Sequence, residues 1–310
     1  MTTCTNRPFT LSRRDVLRWA GVSALALGSG GLERLLAADA PPAPTTGRAT
    51  IAFGVCAGKD KGAMLKAAGG DYIEESVQNL LIPEKSDEEF APRIAAIAAA
   101  VLPVKACNGF LPKSLPSVGE KAAHDAILAY ADVAFRRAKQ VGIENITFGS
   151  GDSRRIPEGF PAEKAKNQFT DLLIRMGPLA ASHGVTVSVE PLRKEECNFL
   201  NNVREVADVV GAAAHPNVGI TADLYHMVLG GDVPEDLEKN IRLLKHFHIA
   251  EKAKRAMPGV AGDDFRPWFK MLNRNGWKGR ISIESNGGGD EAAYTKSFAY
   301  LRKQLAEADS

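Results

Sequence analysis

Hydrophobic residues are spaced in two alternating ways from residue 50 to the end of the chain. Short runs, in which apolar residues are continuous or alternate with polar ones, indicate β-strands. Longer runs with an apolar residue every three or four positions indicate amphipathic helices. The predicted strands are residues 50–56, 71–77, 104–110, 145–151, 185–190, 218–223, 246–251 and 280–286.

The helix-type pattern fills the intervals between these strands and follows the last one. The predicted helices are residues 61–68, 87–102, 121–141, 162–182, 202–214, 234–244, 265–275 and 291–307. Regular alternation indicates a parallel sheet, because each helix returns the chain to the same end of the sheet. We therefore predict an α/β fold, a single-domain (β/α)8 TIM barrel. An open doubly wound sheet is the alternative, but no G-x-G-x-x-G motif opens a helix after the first strand.

The first 40 residues differ from the rest and are predicted to be a twin-arginine signal peptide. Residues 12–17 read SRRDVL, an uncharged run follows at 19–32, and the small-residue pattern Ala-Asp-Ala ends at residue 40. The alternative is an uncleaved membrane anchor, but Glu33 and Arg34 interrupt the apolar stretch. We expect export to the periplasm or another extracytoplasmic space. Residues 41–49 then form a linker, and residues 50–310 form the barrel.

The charge balance argues against a polyanionic partner. The chain has 39 Lys and Arg residues and 37 Asp and Glu residues, a net charge of +2. The predicted leader holds more basic than acidic residues, so the mature protein is expected to be neutral. A neutral protein lacks the field that attracts nucleic acid or anionic membrane. We predict no nucleic-acid partner and no membrane partner after signal cleavage, and homo-oligomer formation stays open.

Four polar residues stand at the ends of four consecutive predicted strands. They are Glu190, Asp223, His248 and Glu284. Each alone is an ordinary loop acid or ion-pair partner, but the carboxyl ends of barrel strands meet at one rim, where such barrels keep their chemistry. Three carboxylates and an imidazole suit a hard divalent cation. We therefore predict one metal ion per chain, with Mn2+ as the first choice and Mg2+, Co2+ or Zn2+ as alternatives.

Further residues near the same rim are candidates for substrate contacts. His226 follows Asp223 by three residues and can donate a hydrogen bond to a substrate oxygen. Glu251 ends the seventh predicted strand. Arg154 and Arg155 follow the fourth strand, where they form either a clamp for an anion or hydroxyl group or an ordinary surface pair.

The second and seventh predicted strands point polar side chains towards the predicted barrel interior. His246 is two residues before His248, so both face the same side of the strand. We interpret His246 as an interior residue that supports the site, not as a ligand. Glu74 and Glu75 are adjacent in the second strand, so only one of them faces the barrel.

The chain resembles the xylose-isomerase-like sugar isomerase and epimerase barrels, including the ketose 3-epimerases, over about residues 50–308. The matching residues are Glu190 in VEP, Asp223 and His226 in DLYH, His248 in HFHIAE and Glu284 in IES. The resemblance implies the barrel fold, the divalent metal and a small carbohydrate substrate. It does not identify the sugar.

The resemblance also implies roles for individual residues. In such epimerases two metal-bound glutamates transfer the proton, and they match Glu190 and Glu284. A glutamate six residues after the first ligand contacts the substrate, which selects Glu196. An arginine shortly before a Pro-Gly pair also contacts the substrate. Arg255 matches it with one extra residue inserted, so Lys254 competes for this role.

The donor chemistry agrees with these implied roles. A divalent cation bound to a carbonyl and its neighbouring hydroxyl lowers the barrier to removing a proton from the carbon between them. Glu190 and Glu284 can remove this proton and return one, through a cis-enediolate. We predict a metal-dependent sugar isomerase or epimerase. An exported enzyme is expected to act on an unphosphorylated sugar or keto-sugar, because sugar phosphates are mainly cytoplasmic.

Three other functions stay open from the sequence. Loss of a leaving group from the same enolate would make the protein a 3-keto-glycoside lyase or hydratase. A phosphodiesterase resembling the apurinic endonucleases would need more histidine ligands at strand ends and a basic face. A non-catalytic sugar-binding barrel would bind its sugar equally well without the metal.

Overall fold

The sheet closes through parallel pairing of its first and last strands. The structure is a computed structural model that describes residues 48–309, and its eight strands are hydrogen-bonded in sequence order with β1 beside β8. The strands are β1 Thr50–Cys56, β2 Tyr72–Ser76, β3 Val104–Asn108, β4 Asn145–Phe148, β5 Thr186–Val189, β6 Val218–Asp223, β7 Leu244–Ile249 and β8 Lys278–Ile283. The predicted (β/α)8 barrel is confirmed.

Helices connect the strands and surround the barrel. In the described part of the chain they are α1 Gly62–Ala67, α2 Val77–Leu80, α3 Asp87–Ala98, α4 His124–Val141, α5 Gly151–Arg154, α6 Ala162–His183, α7 Val203–Ala213, α8 Leu224–Gly230, α9 Pro234–Glu238, α10 Arg266–Arg274 and α11 Glu291–Glu307. The bounds of β1, β6 and α11 agree with the prediction to the residue.

Three short helices were not predicted, and several predicted helices are shorter than expected. α2, α5 and α8 directly follow or lie just after a strand and span four to seven residues, too few for a helical period to emerge from the sequence. The largest difference is in the helix predicted at 234–244, which ends at Glu238; a single 3-10 turn, Ile241–Leu243, follows it and leads into β7 at Leu244.

The interior of the barrel is polar, and the apolar core lies between the barrel and its helices. Inside, Oγ1 of Thr221 donates to Oγ of Ser188 at 2.6 Å and lies 3.1 Å from Oγ1 of Thr147. The next residue of β4, Phe148, points outwards and packs on Phe169 of α6 with the ring centroids 5.1 Å apart. This alternation follows from the two-residue period of a strand, and the bonded hydroxyls fix the interior in one arrangement.

The two ends of the described chain meet at the amino-terminal end of the barrel. Nε of Arg48, just before β1, lies 2.8 Å from Oδ2 of Asp309, just after α11. Asn273 joins them, since its Oδ1 accepts the N–H of Ala49 and its Nδ2 donates to Asp309. These contacts lie at the end of the barrel opposite the carboxyl ends of the strands.

The predicted signal peptide and linker fall outside the part that the structure describes. The predicted signal peptide, residues 1–40, lies outside the described residues, as does nearly all of the predicted linker at 41–49. Export therefore stays a prediction. Within residues 48–309, none of the helices combines the length and the apolar character needed to cross a bilayer.

Candidate active site

Four side chains from the ends of β5 to β8 meet at the carboxyl rim of the barrel. The donor atoms of Glu190, Asp223, His248 and Glu284 all lie within 4.8 Å of one another. Nδ1 of His248 is 2.8 Å from Oε1 of Glu190, 3.0 Å from Oε2 of Glu284 and 3.9 Å from Oδ2 of Asp223. The four residues selected from the sequence therefore form one cluster, with this nitrogen facing the carboxylates.

The backbone holds the acids of the cluster at the ends of strands. Asp223 is the last residue of β6 and caps α8, where its Oδ1 accepts the N–H of His226 at 3.2 Å. Glu190 and Glu284 directly follow β5 and β8, and their N–H groups still donate to the neighbouring strands. The sheet therefore fixes the backbone of each acid, and only the side chains can adjust.

Glu74 orients His248 from inside the barrel. Nε2 of His248 lies 3.0 Å from Oε1 of Glu74, whose other oxygen lies 2.6 Å from Nε2 of His246 and 2.6 Å from Oγ of Ser282. When Nε2–H of His248 donates to Glu74, the lone pair of Nδ1 points to the cluster. A carboxylate behind a ligand histidine is a recurrent feature of metal sites. His246 lies in the interior, as predicted, and Glu74 is the member of its pair that faces the barrel.

The cluster perturbs its own ionisation. Burial raises the pKa of Asp223 to about 6. Burial acts in the same direction on Glu284, but His248 and Arg255 outweigh it and lower the pKa of that carboxyl to about 2. Burial alone would lower the pKa of His248, whereas Glu74 and the neighbouring carboxylates raise it well above its ordinary value. Three acids so close together, two of them buried and Glu284 half-buried, stay ionised only beside positive charge.

A divalent cation fits this donor set. Three carboxylates and one correctly oriented imidazole nitrogen match the ligands that such ions prefer, and added positive charge would keep all three acids ionised. A second group of donors, Cys56, Glu74 and His248, also lies within 4.8 Å. Burial, then the charge of Glu74, raises the pKa of Cys56 well above its usual range. A thiol is also a soft ligand, in contrast to the hard oxygen donors of the rim cluster.

Arg255 reaches the cluster from the loop after β7. Its NH2 atom donates to Oε2 of Glu284 at 2.6 Å and to Oδ2 of Asp223 at 3.0 Å. Its guanidinium carbon lies 4.9 Å from the ring centroid of Tyr225. Lys254, the competing candidate, is exposed and lies outside the cavity. The structure therefore brings Arg255, and not Lys254, into the site.

His226 and Glu196 form the wall of the site next to Asp223. Nε2 of His226 lies 3.7 Å from Oε2 of Glu196 and 3.7 Å from Oδ2 of Asp223. Nδ1 of His226 accepts the backbone N–H of Arg193 at 3.4 Å, and Nε of Arg193 donates to Oε1 of Glu196 at 2.8 Å. Because Nδ1 accepts, Nε2 carries the proton and can donate into the site.

Arg154 and Glu251 lie elsewhere than expected. Arg154 is fully buried, and its guanidinium donates to the backbone carbonyls of Phe148 and Glu190. The carboxylate of Glu251, also fully buried, accepts four backbone N–H groups from the loop at residues 259–263. This corrects their interpretation as substrate contacts: Arg154 supports the backbone beneath the rim, and Glu251 holds the loop that carries Arg255.

The cluster opens into a cavity of about 270 Å³. Its walls include Glu190, Glu196, His226, Arg255 and Glu284, together with residues of the loops after β3 and β4. Asn108, at the end of β3, was missed from the sequence, and its Nδ2 donates to Oε1 of Glu284 at 3.2 Å. Its position at the end of a strand, like the positions of the three acids and the histidine of the cluster, was the available signal.

The chain matches the model of a known protein family. The family model described as xylose isomerase-like TIM barrel matches residues 63–304. The chain belongs to this family. The family generally depends on a divalent metal, which agrees with the donor set at the rim.

Individual relatives share part of the chain. It is 32% identical over 112 residues to a ketose 3-epimerase of Arthrobacter globiformis, covering 36% of this chain and 38% of the relative. It is 29% identical over 140 residues to 3-dehydro-D-guloside 4-epimerase of Escherichia coli strain K12, covering 44% and 53%. The matches thus span between two fifths and about half the length of these curated relatives.

A solved structure of 3-keto-D-glucoside 4-epimerase from E. coli has the same fold. It superposes with a TM-score of 0.68 at 22% identity, covering 82% of this chain and 100% of that one. At this identity the likeness shows the fold alone.

Proposed function

We propose that this protein is a metal-dependent sugar epimerase or isomerase that acts on an unphosphorylated sugar or keto-sugar through a cis-enediolate. The observation that carries the proposal is the approach of Glu190 and Glu284 to the same nitrogen of His248, at 2.8 and 3.0 Å. Two carboxylates in one small cavity can remove a proton from carbon and return one. The activities named for the relatives belong to the same class.

The cation would be held by Glu190, Asp223, His248 and Glu284. We favour Mn2+, with Mg2+, Co2+ or Zn2+ as alternatives, because oxygen donors dominate the set. When bound, the ion polarises a sugar carbonyl and its neighbouring hydroxyl, so that the proton on the adjacent carbon becomes more acidic.

Glu284 is a carboxylate whose two oxygens are held by neighbouring side chains. The positive charges of His248 and Arg255 outweigh the effect of burial and lower the pKa of its carboxyl to about 2, so that it is ionised; beside a neutral, metal-bound His248, the cation itself would supply this positive charge. Arg255 holds Oε2 of Glu284, and Asn108 holds Oε1. For epimerisation, Glu190 would take up a proton from solvent and deliver it to the opposite face of the same carbon, while Glu284 releases its proton to solvent; for isomerisation, the proton would be delivered to the adjacent carbon.

Three side chains around the cluster are suited to hold the sugar. His226 presents Nε2–H, Glu196 presents a carboxylate, and Arg255 presents its guanidinium to the cavity. Hydroxyl groups on a sugar both donate and accept hydrogen bonds, so a mixed set of donors and acceptors matches them. A single arginine beside two carboxylates is a poor match for a phosphate, which supports an unphosphorylated substrate.

The cellular setting of the reaction is part of the proposal. The twin-arginine pattern and the apolar run that follows it support export of the protein to an extracytoplasmic space. A carbohydrate in that space would be unphosphorylated. The enzyme would need no nucleic acid and no membrane after cleavage of its leader, and its oligomeric state is left open.

Elimination is the second branch open to the same enolate. One relative is named as an epimerase of a 3-dehydro-glycoside, and a substrate of that kind carries a leaving group that an enolate can expel. The protein would then be a 3-keto-glycoside lyase or hydratase. The products of the reaction separate the two branches.

Exchange of the substrate proton in D2O tests the proposal. We would incubate Mn2+-loaded protein with a panel of ketoses and 3-keto-glycosides and follow deuterium at carbon and the products by NMR. Glu284→Gln keeps an oxygen for the metal but loses the basic oxygen, so exchange should fall by on the order of 10²–10⁴. Glu195→Gln, an exposed carboxylate next to Glu196, is the matched control. If Glu284→Gln retains its metal and exchanges at the parent rate, Glu284 is only a ligand and the two-glutamate mechanism is wrong.

A further inference from the structure

A second, larger depression lies on the same face of the barrel as the cavity. It has a volume of about 610 Å³, compared with about 270 Å³ for the cavity at the cluster. We name it the outer groove, and its walls are the loop at 116–121, which follows β3, and the segment at 155–164, which follows α5. Small-molecule sites in barrels form between such loops, at volumes of about 300–1,000 Å³.

Hydrogen bonds between its walls make the outer groove a preformed feature. The N–H of Ser117 donates to the carbonyl of Ser153 at 2.7 Å. Gln168 of α6 bonds both backbone groups of Gly119, at 2.8 and 3.1 Å. A Cβ atom on Gly119 would lie 2.7 Å from Cγ of Pro157, so glycine permits this close approach. Walls fixed in this way lose little entropy when a ligand binds.

The outer groove is joined to the rim of the catalytic cavity. The guanidinium of Arg155, which lines the groove, donates to the carbonyl of Glu196, which lines the cavity. Ile156 and the side chain of Asn198 exchange two hydrogen bonds, each of 2.9 Å. The loop that carries Glu196 and lines the cavity is therefore hydrogen-bonded to the segment that lines the outer groove.

The lining of the outer groove suits a ring with an apolar face and polar edges. Pro116, Pro157 and Pro161 supply rigid apolar surface, and Phe160 adds an aromatic ring over which Nζ of Lys164 lies at 5.3 Å from the centroid. Three basic and two acidic side chains also line it: Lys121, Arg155, Lys164, Glu120 and Glu158. Mixed charges of this kind hydrogen-bond hydroxyl groups and give no concentrated field for a polyanion.

We propose that the outer groove binds the non-reacting ring of a glycoside whose keto-sugar ring lies in the catalytic cavity. This inference rests on the proposed function and narrows its substrate class from free sugars to glycosides with a second ring. The glycosidic bond would pass over the contact between Arg155 and Glu196. Phe160 would contact the apolar face of the second ring, and Lys164 would donate to its hydroxyl groups.

The test compares substrates with and without a second ring. We would measure kcat/KM of the Mn2+-loaded full-length protein with the 3-keto form of a disaccharide, the 3-keto aryl glycoside and the 3-keto methyl glycoside of the same reacting sugar. Phe160→Ala and Lys164→Met alter the groove. Lys113→Met, an exposed lysine in the loop after β3 that does not line the groove, is the matched control. Calorimetric binding of the unoxidised disaccharide and of its component monosaccharide gives a readout that needs no turnover.

The expected result is a loss that depends on the second ring. Phe160→Ala should lower kcat/KM about tenfold for the disaccharide, at least five times more than for the methyl glycoside, and should weaken disaccharide binding similarly. If kcat/KM is higher for the aryl glycoside than for the disaccharide, the ring bound in the outer groove is an aryl group and not a sugar. Equal losses for all substrates, or none, would overturn the inference. So would a dimeric parent protein that becomes monomeric in Phe160→Ala, because the groove would then be a subunit interface.

Failure of the inference and failure of the proposed function can be told apart. If no keto-sugar exchanges its proton with the parent protein, the proposed function fails, and the binding experiment still decides the role of the groove. If exchange is rapid but disaccharide and monosaccharide bind alike in the parent and in Phe160→Ala, the inference alone fails.

Discussion

The two halves of the barrel mouth carry different chemistry. Strands β5 to β8 each place one donor, Glu190, Asp223, His248 or Glu284, in a single cluster. In the half built from β1 to β4, Glu74 supports His248 from inside the barrel, and Asn108 contacts Glu284. The loops after β3 and β4 form the walls of the outer groove.

The difference shows that one half of the barrel mouth supplies the charged groups of the site and the other half positions them. In the second half, acids are crowded together and shift one another's pKa, which suits them to a cation and to proton transfer. In the first half, Glu74 and Asn108 are hydrogen-bonded to His248 and Glu284 and hold these two residues in place. Substitutions in the two halves should therefore impair the protein in different ways.

The largest effect is expected at a ligand of the second half. Asp223→Asn should weaken Mn2+ binding by more than about 100-fold, the upper range for residues that only support a ligand. Asparagine still caps α8, so the fold should survive, which circular dichroism would check. Metal analysis and titration measure the effect, with Asp208→Asn on the exposed face of α7 as control. Full occupancy in Asp223→Asn and Glu190→Gln would remove the site assignment.

A smaller effect on the metal is expected at Glu74 in the first half. Glu74→Gln replaces one carboxylate oxygen with an amide NH2 group. The lost oxygen accepts a hydrogen bond either from His248 or from His246 and Ser282, so metal affinity should fall about 10–100-fold. Glu75→Gln is the matched control, because Glu75 accepts the N–H of Lys59 and points away from the barrel. Mn2+ titration of both variants is the measurement. Parent affinity in Glu74→Gln would show that the two halves are independent.

An effect on substrate without an effect on metal is expected at Glu251. Glu251→Gln leaves one oxygen for four backbone N–H groups, which should cost roughly 1.5–3 kcal/mol of unfolding free energy. The loop that carries Arg255 should loosen, so KM should rise with Mn2+ affinity unchanged. Hydrogen exchange at residues 252–263 and steady-state kinetics report the two effects, with Asp264→Asn as control. Unchanged exchange in this loop would contradict the role given to Glu251.

The smallest effect is expected at a half-buried acid of the second half that lies outside the cluster. Burial raises the pKa of Asp232 to about 6, against the hydrogen bond from the N–H of Val203. The pKa of this carboxyl is higher in the folded state than in the unfolded state, where it is ~3.9, so its protonated form contributes fully to the stability of the fold below pH ~3.9. This contribution is lost as the pH rises through about 6. Asp232→Asn keeps the acceptor, so it should be more stable by about 2 kcal/mol at neutral pH.

Urea unfolding of the parent and of Asp232→Asn near pH 4 and pH 7.5 is the measurement for this prediction. The two proteins should be nearly equal at the lower pH and differ at the higher one. Metal affinity should be the same in both. If the difference in unfolding free energy between the two proteins does not change with pH, the effect comes from packing and not from ionisation.

Much of the fold was predictable because each strand and long helix carries its own periodic pattern. The β1 and β6 bounds were correct to the residue, and the strand-end positions of Glu190, Asp223, His248 and Glu284 brought these residues together as expected. A barrel makes such inference simple, because every strand ends at the same rim.

The residues that the sequence could not place are those whose role depends on contacts across the barrel. Glu74 faces its histidine 174 positions away, and no local pattern shows that. Arg154 and Glu251 stand at the expected rim, but their charges are used by backbone groups, which becomes visible only when the loops are folded. Position along a strand predicts which end a side chain lies at, and not what it binds there.

The ion pair between Arg48 and Asp309 gives this barrel almost adjacent chain ends. A short peptide could join them and new ends could be opened in a connection at the amino-terminal face, so that a circularly permuted enzyme would keep every strand and every loop of the mouth. For the same reason, a purification tag or surface anchor attached after residue 309 would leave the face that carries the metal-ligand cluster turned towards solution.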